Sequence, residues 1–290
     1  MVRIVAIVGV GKMGLWFCKY FSKKHNYKVL LYDRRNIKLD SSKYHNKVTI
    51  CKSLQTCVGK ADIVVVCVPI KLSISVIKEC ISTMKNDACI VEISSLKSDI
   101  FKSLLKIPNH LIPLSIHPMF GPGAKNLGDT KMLVIPIRNG KKEQKLVKSL
   151  FSETRTIVIK DPQTHDAIMA ILLGLVYYIN LLLASTLSSE NITLLKRVSG
   201  TTFCLQKILF ESILTDHSSL ITSLLADNKQ LVRHLKKYHM ESARLLGMIT
   251  NNKKLLEKRI DQIKSGYANK RDIRTSYEKM YSIISKINNK

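Results

Sequence analysis

Arg3-Ile4-Val5-Ala6-Ile7-Val8-Gly9-Val10-Gly11-Lys12-Met13-Gly14 is the stretch that decides how the chain is read. Residues 3–8 are an unbroken apolar run, as a strand covered on both faces requires. The run passes directly into G-x-G-x-x-G. In that setting the first glycine permits a tight turn, the second lets the backbone approach a pyrophosphate, and the third lets the next helix pack closely on the strand. The phosphates would then lie over the helix N-terminus. Leu15, Cys18 and Phe21 mark one face of that helix, and a second strand over 28–32 ends in Asp33, 19 residues beyond Gly14. A carboxylate at that spacing can accept from the adenosine ribose hydroxyls. Gly9, Gly11, Lys12, Met13 and Gly14 are therefore the candidate pyrophosphate-binding residues. At the ribose end Asp33 favours NAD, because a carboxylate repels a 2′-phosphate, whereas Arg34 and Arg35 are what an NADP site uses to grip that group. NAD is the expected cofactor, with NADP accepted.

From 1 to 160 strand and helix patterns alternate. Strands are expected near 3–8, 28–33, 48–50, 62–68, 88–93, 111–115, 132–136 and 155–159, with helices near 12–24, 53–59, 71–84, 97–106 and 141–152. This is an α/β pattern, a Rossmann-like, doubly wound, mostly parallel sheet with helices on both faces. Ala61–Val68 is continuously apolar and is stopped by Pro69, so Val68 and Pro69 lie where a cofactor would pass. After Asp161-Pro162 strand signals disappear. The remainder predicts an all-α C-terminal domain with helices near 163–188, 203–214, 217–249, 252–265 and 269–288. The expected organisation is a dinucleotide-binding domain over 1–160 and a helical substrate and dimerisation domain over 161–290.

Composition narrows the class. At 290 residues and 46% hydrophobic, the chain can bury two cores and is not disordered. Its formal charge of +26 divides into +18 over 1–160, −3 over 161–228 and +11 over 229–290. No basic run is interleaved with aromatics, so solvated lysines are expected and nucleic acid is not an expected partner. Cys18, Cys51, Cys57, Cys67, Cys80, Cys89 and Cys204 sit mostly in apolar patterns without C-x-x-C spacing. They read as reduced core residues of a cytoplasmic protein, with no metal site. The N-terminal run reads as a strand and not as a signal peptide. Ala167–Leu187 is 21 residues without a charge, long enough to span a bilayer. Asn180, Ser185, Thr186 and the two adjacent tyrosines weigh against insertion, so it is expected as a buried helix at the centre of the helical domain or of a homodimer, with no membrane partner.

Chemistry is concentrated in His117-Pro118-Met119-Phe120-Gly121-Pro122, expected on a stiff turn just past the sixth strand. Ligands of open α/β sheets bind outside the carboxyl ends of the strands. A single imidazole there is a candidate acid or base.

Together these residues resemble the prephenate/arogenate dehydrogenase family of tyrosine biosynthesis. The resemblance rests on Gly9-x-Gly11-x-Met13-Gly14 with Trp16-Phe17, on Ser94-Ser95-Leu96-Lys97, on the His117–Pro122 string, and on His165-Asp166 with Met169-Ala170. It implies an NAD(P)-dependent oxidative decarboxylation of prephenate or arogenate, a small anionic substrate. It also implies that His117 is the base, and that Ser95 is the active-site serine hydrogen-bonded to that histidine or to the substrate hydroxyl. Ser94 is a neighbour at the cofactor, and Lys97 belongs either to the site or to the helix surface. The family's second histidine aligns by spacing with Tyr177 and its clamping arginine with about Glu211. Arg197, Lys207 and Arg233 are the alternative clamps. Two other classes share parts of the pattern. A 3-hydroxyacid or imine-type reductase would place a catalytic lysine or aspartate in 167–195, where Glu190 is the one charged residue. A non-enzymatic dinucleotide-binding or nucleic-acid-binding protein would leave His117 incidental.

Overall fold

The computed structural model describes residues 2–39, 47–268, 273 and 275–288. Strands β1 (Arg3–Val8), β2 (Tyr27–Tyr32), β3 (Val48–Ile50), β4 (Ile63–Val66), β5 (Cys89–Glu92), β6 (Ile112–Pro118), β7 (Lys131–Ile135) and β8 (Arg155–Val158) form one sheet in the order β3-β2-β1-β4-β5-β6-β7-β8. Every neighbouring pair is parallel except β6 with β7. Helices α1 (Lys12–Ser22), α2 (Leu54–Val58), α3 (Ile70–Ile81), α4 (Ser98–Leu104) and α5 (Gly140–Leu150) connect them. The chain leaves β1 toward β2 on one side and returns at β4 on the other. That reversal opens the crevice at the carboxyl end of β1, where the glycine turn lies.

The unbroken apolar run of β1 follows from two-sided burial. Val5 and Ile7 join one core with Phe17, Phe21, Val29, Leu31 and Phe151. Ala6 and Val8 join a second with Val64, Val66, Ile77 and Leu104. Successive strand residues point to opposite faces, so both parities must be apolar.

Gly9 has φ +94°, and a Cβ there would stand 2.6 Å from the Cys67 carbonyl oxygen. A Cβ on Gly14 would stand 2.0 Å from the Gly9 carbonyl oxygen. A Cβ on Gly11, by contrast, would meet nothing within 4 Å. Two glycines are thus required by the protein itself, while the third keeps space open beside the start of α1.

The sixth strand is longer than the sequence pattern indicates. β6 continues to Pro118, with His117 opposite Leu133 of β7. Parallel pairing with β5 ends at Ser115, and the antiparallel edge with β7 carries the strand onward. His117 is therefore on a strand and not on the turn after it.

The chain forms two compact units, Met1–Met169 and Ala170–Lys290. Composition changes class near 160, but α6 (Pro162–Met169) packs against α4, and compactness divides the chain after it. In the second unit a π-helical segment, Ala170–Leu175, leads into α7 (Val176–Leu187). There follow α8 (Ile192–Val198), α9 (Thr201–Leu214), α10 (Ser218–Thr222), a second π-helical segment (Ser223–Asp227), α11 (Leu231–Asn251), α12 (Lys253–Ala268) and α13 (Ser276–Asn288). The helix expected over 217–249 is interrupted at Asn228, whose Oδ1 accepts from the Gln230 N–H at 3.1 Å. Within the helix expected over 269–288, residues 269–272 and 274 lie outside the described residues.

Pro162–Leu187 is one continuous helical run long and apolar enough to cross a membrane, and only 22% of its most apolar window is buried. Within a single chain the helix is thus not buried at the centre of the helical domain, which leaves the homodimer alternative of that expectation. α9 packs on α7, and Leu231 of α11 sits against Gly174, but Ile171, Leu172 and Leu182 keep 46%, 50% and 43% of their surface exposed. Asn180 is buried, donates to the Val176 carbonyl and accepts from Gln206 Nε2 at 2.8 Å.

Gly14→Ala is expected to lower stability by roughly 1–3 kcal/mol, because the added methyl meets backbone that cannot move aside. Gly11→Ala should leave the urea midpoint unchanged. A Gly14→Ala protein with the parent midpoint would contradict the close packing of α1 on β1.

Candidate active site

The site grows from the carboxyl end of β5. Glu92 closes that strand, and Ser94-Ser95-Leu96-Lys97 turns into α4. Lys97 is fully buried, so the surface reading of this residue is overturned. Its Nζ donates to Glu92 Oε2 at 2.7 Å and to the Ile116 carbonyl at 2.7 Å. Ser115 Oγ donates to the same Glu92 oxygen at 3.0 Å, and the Ser94 N–H donates to Glu92 Oε1. An ion pair out of water is tolerable only when its remaining hydrogen-bonding capacity is filled in this way. Burial lowers the Lys97 pKa, and the Glu92 carboxylate works against that shift.

Asp166, on α6, is the second anchor. Its Oδ1 accepts from the Lys97 N–H at 2.8 Å and its Oδ2 from the Ser98 N–H at 2.8 Å. These donors at the start of α4 have no intrahelical partners, and a carboxylate at a helix N-terminus is favourable. The same Oδ1 lies 2.8 Å from His165 Nδ1, and His165 Nε2 lies 2.9 Å from His117 Nδ1. Burial raises the Asp166 carboxyl, but the hydrogen bonds from His165 and Ser98 outweigh it and hold the group below the usual carboxylate range. His117 is held well below the ordinary histidine value, first by burial and then by His165 and Lys97. Burial also lowers His165, with Asp166 partly opposing it. Both rings are therefore neutral at pH 7.

Ser94 is buried and its hydroxyl lies 3.1 Å from that of Ser73. Ser95 is half-buried, and among the described residues its hydroxyl bonds to neither histidine; the partner of His117 Nδ1 is His165. The loop after His117 is tied to the glycine turn by α1. Phe120 packs on Trp16 at 4.8 Å, and Trp16 Nε1 donates to the Ala124 carbonyl at 2.9 Å.

At the opposite side of the reversal, Asp33 Oδ2 accepts from the Val10 N–H at 2.8 Å, inside the glycine turn. Arg35 does not swing outward. Its Nε and backbone N–H meet Asp33 Oδ1 at 3.0 and 2.9 Å, and this contact is the main reason the carboxyl is held at about 2. Arg34 is exposed. Lys12 and Met13 begin α1, Val68 is half-buried, and Pro69 caps α3. The open space at Gly11, the helix start behind it and the ionised Asp33 fit a dinucleotide.

The remaining candidates belong to the helical unit. Tyr177 donates to Asp216 Oδ2 at 2.8 Å, and burial raises its pKa. Lys207 is ion-paired with Glu211, while Arg197 of α8 and Arg233 of α11 are exposed. His165, Asp166 and Glu92 were not singled out for chemistry by sequence reasoning. The adjacent His-Asp pair at a helix start was the available signal for the first two; Glu92, inside a strand, offered none.

Two neutral buried histidines have a consequence for stability. An unfolded chain takes up protons on them near pH 6.5, whereas the folded chain, with lowered values, does not. Their contribution is complete above that pH and is lost as pH falls toward the depressed folded values, by up to about 1.4 kcal/mol per pH unit for each ring. Asp33 and Asp166 titrate below this window. Urea midpoints should therefore decline between about pH 7 and pH 5, and less steeply in His117→Asn. Equal slopes in the two proteins would contradict a neutral His117.

Comparison with known proteins adds an independent line. Residues 17–160 match the family model described as prephenate dehydrogenase, nucleotide-binding domain. A probable arogenate/prephenate dehydrogenase of Methanocaldococcus jannaschii is 27% identical over 193 residues, covering 65% of this chain; the chain matches 43% of that relative's length. Prephenate dehydrogenase of Aquifex aeolicus, solved with hydroxyphenyl propionate and NAD+, has the same fold, with TM-score 0.72 and 20% identity over 92% of this chain and 97% of the other. Synechocystis arogenate dehydrogenase follows at TM-score 0.67 and 16% identity, covering 92% and 99%. The His117 strand and the Ser94–Lys97 turn lie within the matched segment and the glycine turn lies just before it, so over 17–160 the chain is similar to the nucleotide-binding domain of prephenate dehydrogenases.

Proposed function

We propose that the chain oxidises prephenate to 4-hydroxyphenylpyruvate, or arogenate to tyrosine, with loss of carbon dioxide and with NAD as the preferred cofactor, in tyrosine biosynthesis. The observation that carries this reading is His117, a buried, neutral imidazole at the carboxyl side of the sheet, linked through Phe120 and Trp16 to the helix that follows the glycine turn. In either substrate one ring carbon bears a hydroxyl and a hydrogen, and the opposite carbon bears a carboxylate. A bound nicotinamide supplies the hydride acceptor. His117 takes the hydroxyl proton as that carbon becomes a carbonyl. When the carboxylate leaves as carbon dioxide, its bonding pair passes through the ring to the carbonyl oxygen. The proton held on His117 then returns to that oxygen, giving the phenol. Ser95, with its hydroxyl free of both histidines, is assigned to the substrate hydroxyl.

Arg197 and Arg233, with exposed guanidinium groups, are the proposed carboxylate clamps of the helical unit, and Tyr177 is a further substrate contact. Lys207 is the weaker candidate because Glu211 already neutralises it. The ionised Asp33 supports NAD over NADP. The Arg35 side chain, 72% exposed, leaves NADP acceptable, since its fork can turn to a 2′-phosphate. The protein is assigned to the cytoplasm. The exposed apolar surface of Ile171, Leu172 and Leu182 supports pairing of the helical unit with a second copy. No nucleic-acid or membrane partner is proposed.

A spectrophotometric assay with prephenate and arogenate, each with NAD and NADP, should find turnover with one substrate and a higher kcat/KM for NAD. His117→Asn should lower kcat by roughly 10²–10⁴ with cofactor affinity near that of the parent. Equal turnover by the variant and the parent would remove His117 from the chemistry. Light scattering at micromolar concentration should report a dimer without detergent. A monomer, or retention on membranes after a high-salt wash, would overturn the pairing.

A further inference from the structure

Asp166, His165 and His117 form a line of two hydrogen bonds. Asp166 Oδ1 is 2.8 Å from His165 Nδ1, and His165 Nε2 is 2.9 Å from His117 Nδ1. An ionised carboxylate can only accept, so the proton of the first bond sits on His165 Nδ1. A neutral imidazole with that proton has a lone pair on Nε2. The second bond therefore draws its proton from His117 Nδ1, and the remaining lone pair of His117 is on Nε2. We infer that Asp166 and His165 are positioning residues whose hydrogen-bond relay sets the tautomer of His117, making Nε2 its basic nitrogen. This rests on the proposed role of His117 as the base.

Among the described residues, the charged groups acting on the pair pull in both directions. From α6, Asp166 favours positive charge on His165; from β5, Glu92 does the same. From the turn into α4, Lys97 opposes positive charge on both rings. Ser115 on β6 is turned to Glu92 and not to the imidazoles. The two rings then accept their first proton as a unit and resist a second. Two histidines filling a core would need no ionised group at the end of the line. Asp166 is ionised, buried, and held by backbone donors that fix its direction.

The test uses the full-length protein. Long-range ¹H–¹⁵N spectra of the histidine-labelled parent at neutral pH should show His117 protonated at Nδ1 and bare at Nε2. This readout needs no turnover, so it stands or falls separately from the dehydrogenase assignment. An inactive parent with the expected spectrum would overturn the function and leave the relay intact. His165→Leu, which removes the acceptor, should lower kcat by roughly 10–100-fold with KM near the parent. His165→Gln, whose amide oxygen can accept from His117 Nδ1, should recover most of that loss. Asp166→Asn should move the acid limb of the kcat profile to lower pH, because the anion favouring the protonated pair is gone. A parent spectrum with the proton on His117 Nε2 would overturn the relay. So would a His165→Leu enzyme with the parent kcat, or an Asp166→Asn enzyme with an unmoved acid limb.

Discussion

The carboxylate of Asp166 is the constraint on which the site depends. It accepts the backbone donors of Lys97 and Ser98 and the ring proton of His165, and in doing so it joins the start of α6 to the start of α4. A helix start leaves several N–H groups without intrahelical partners, and a buried start must find them elsewhere. Here a side chain from a segment almost 70 residues away supplies the acceptor. The same oxygen that satisfies the backbone also orients an imidazole. Structural need and chemical position are met by one group.

The neighbouring Glu92–Lys97 pair is costly by itself, because each ion loses several kcal/mol of hydration on burial. It is retained with its capacity filled by Ser115, the Ser94 N–H and the Ile116 carbonyl. Such an arrangement adds little net stability over an apolar cluster of the same volume, but it permits few alternative packings. The turn between β5 and α4 is thereby held in one geometry, directly against β6 where His117 lies. A positive charge at Lys97 and neutral rings beside it are parts of the same electrostatic solution, since a second cation in that pocket is disfavoured.

On the other side of the reversal, the fold and the nucleotide site share residues in the same manner. Gly9 and Gly14 are excluded from carrying a side chain by backbone atoms of the protein, not by a ligand. Asp33 is held by the Val10 N–H, a donor of the glycine turn itself. Trp16 and Phe120 connect the helix of this site to the loop beyond His117. The glycine turn and the His117 strand are thus tied by a common aromatic contact as well as by a common sheet.

The sheet was legible in the order of residues because its causes are local. Two-sided burial makes β1 and β4 continuously apolar, and tight turns demand glycine at Gly9 and Gly14. A lone histidine at a strand end is usually structural, and His117 stood out by its company, the His117–Pro122 string behind a dinucleotide fingerprint. The extent of β6 was not legible, since it depends on β7 continuing to pair after β5 has stopped. Nor were the burial of Lys97 and the exposure of the Pro162–Leu187 run. A lysine at a helix start and an apolar helix have the same local pattern whether covered or not, and what covers them comes from distant segments. The amino-acid order by itself determined the strand and helix alternation, the glycine turn and the candidate base. Only the tertiary structure decided which side chain meets that base, because a hydrogen bond between His117 and His165 depends on two segments folding to within 2.9 Å, a relation that no local periodicity encodes.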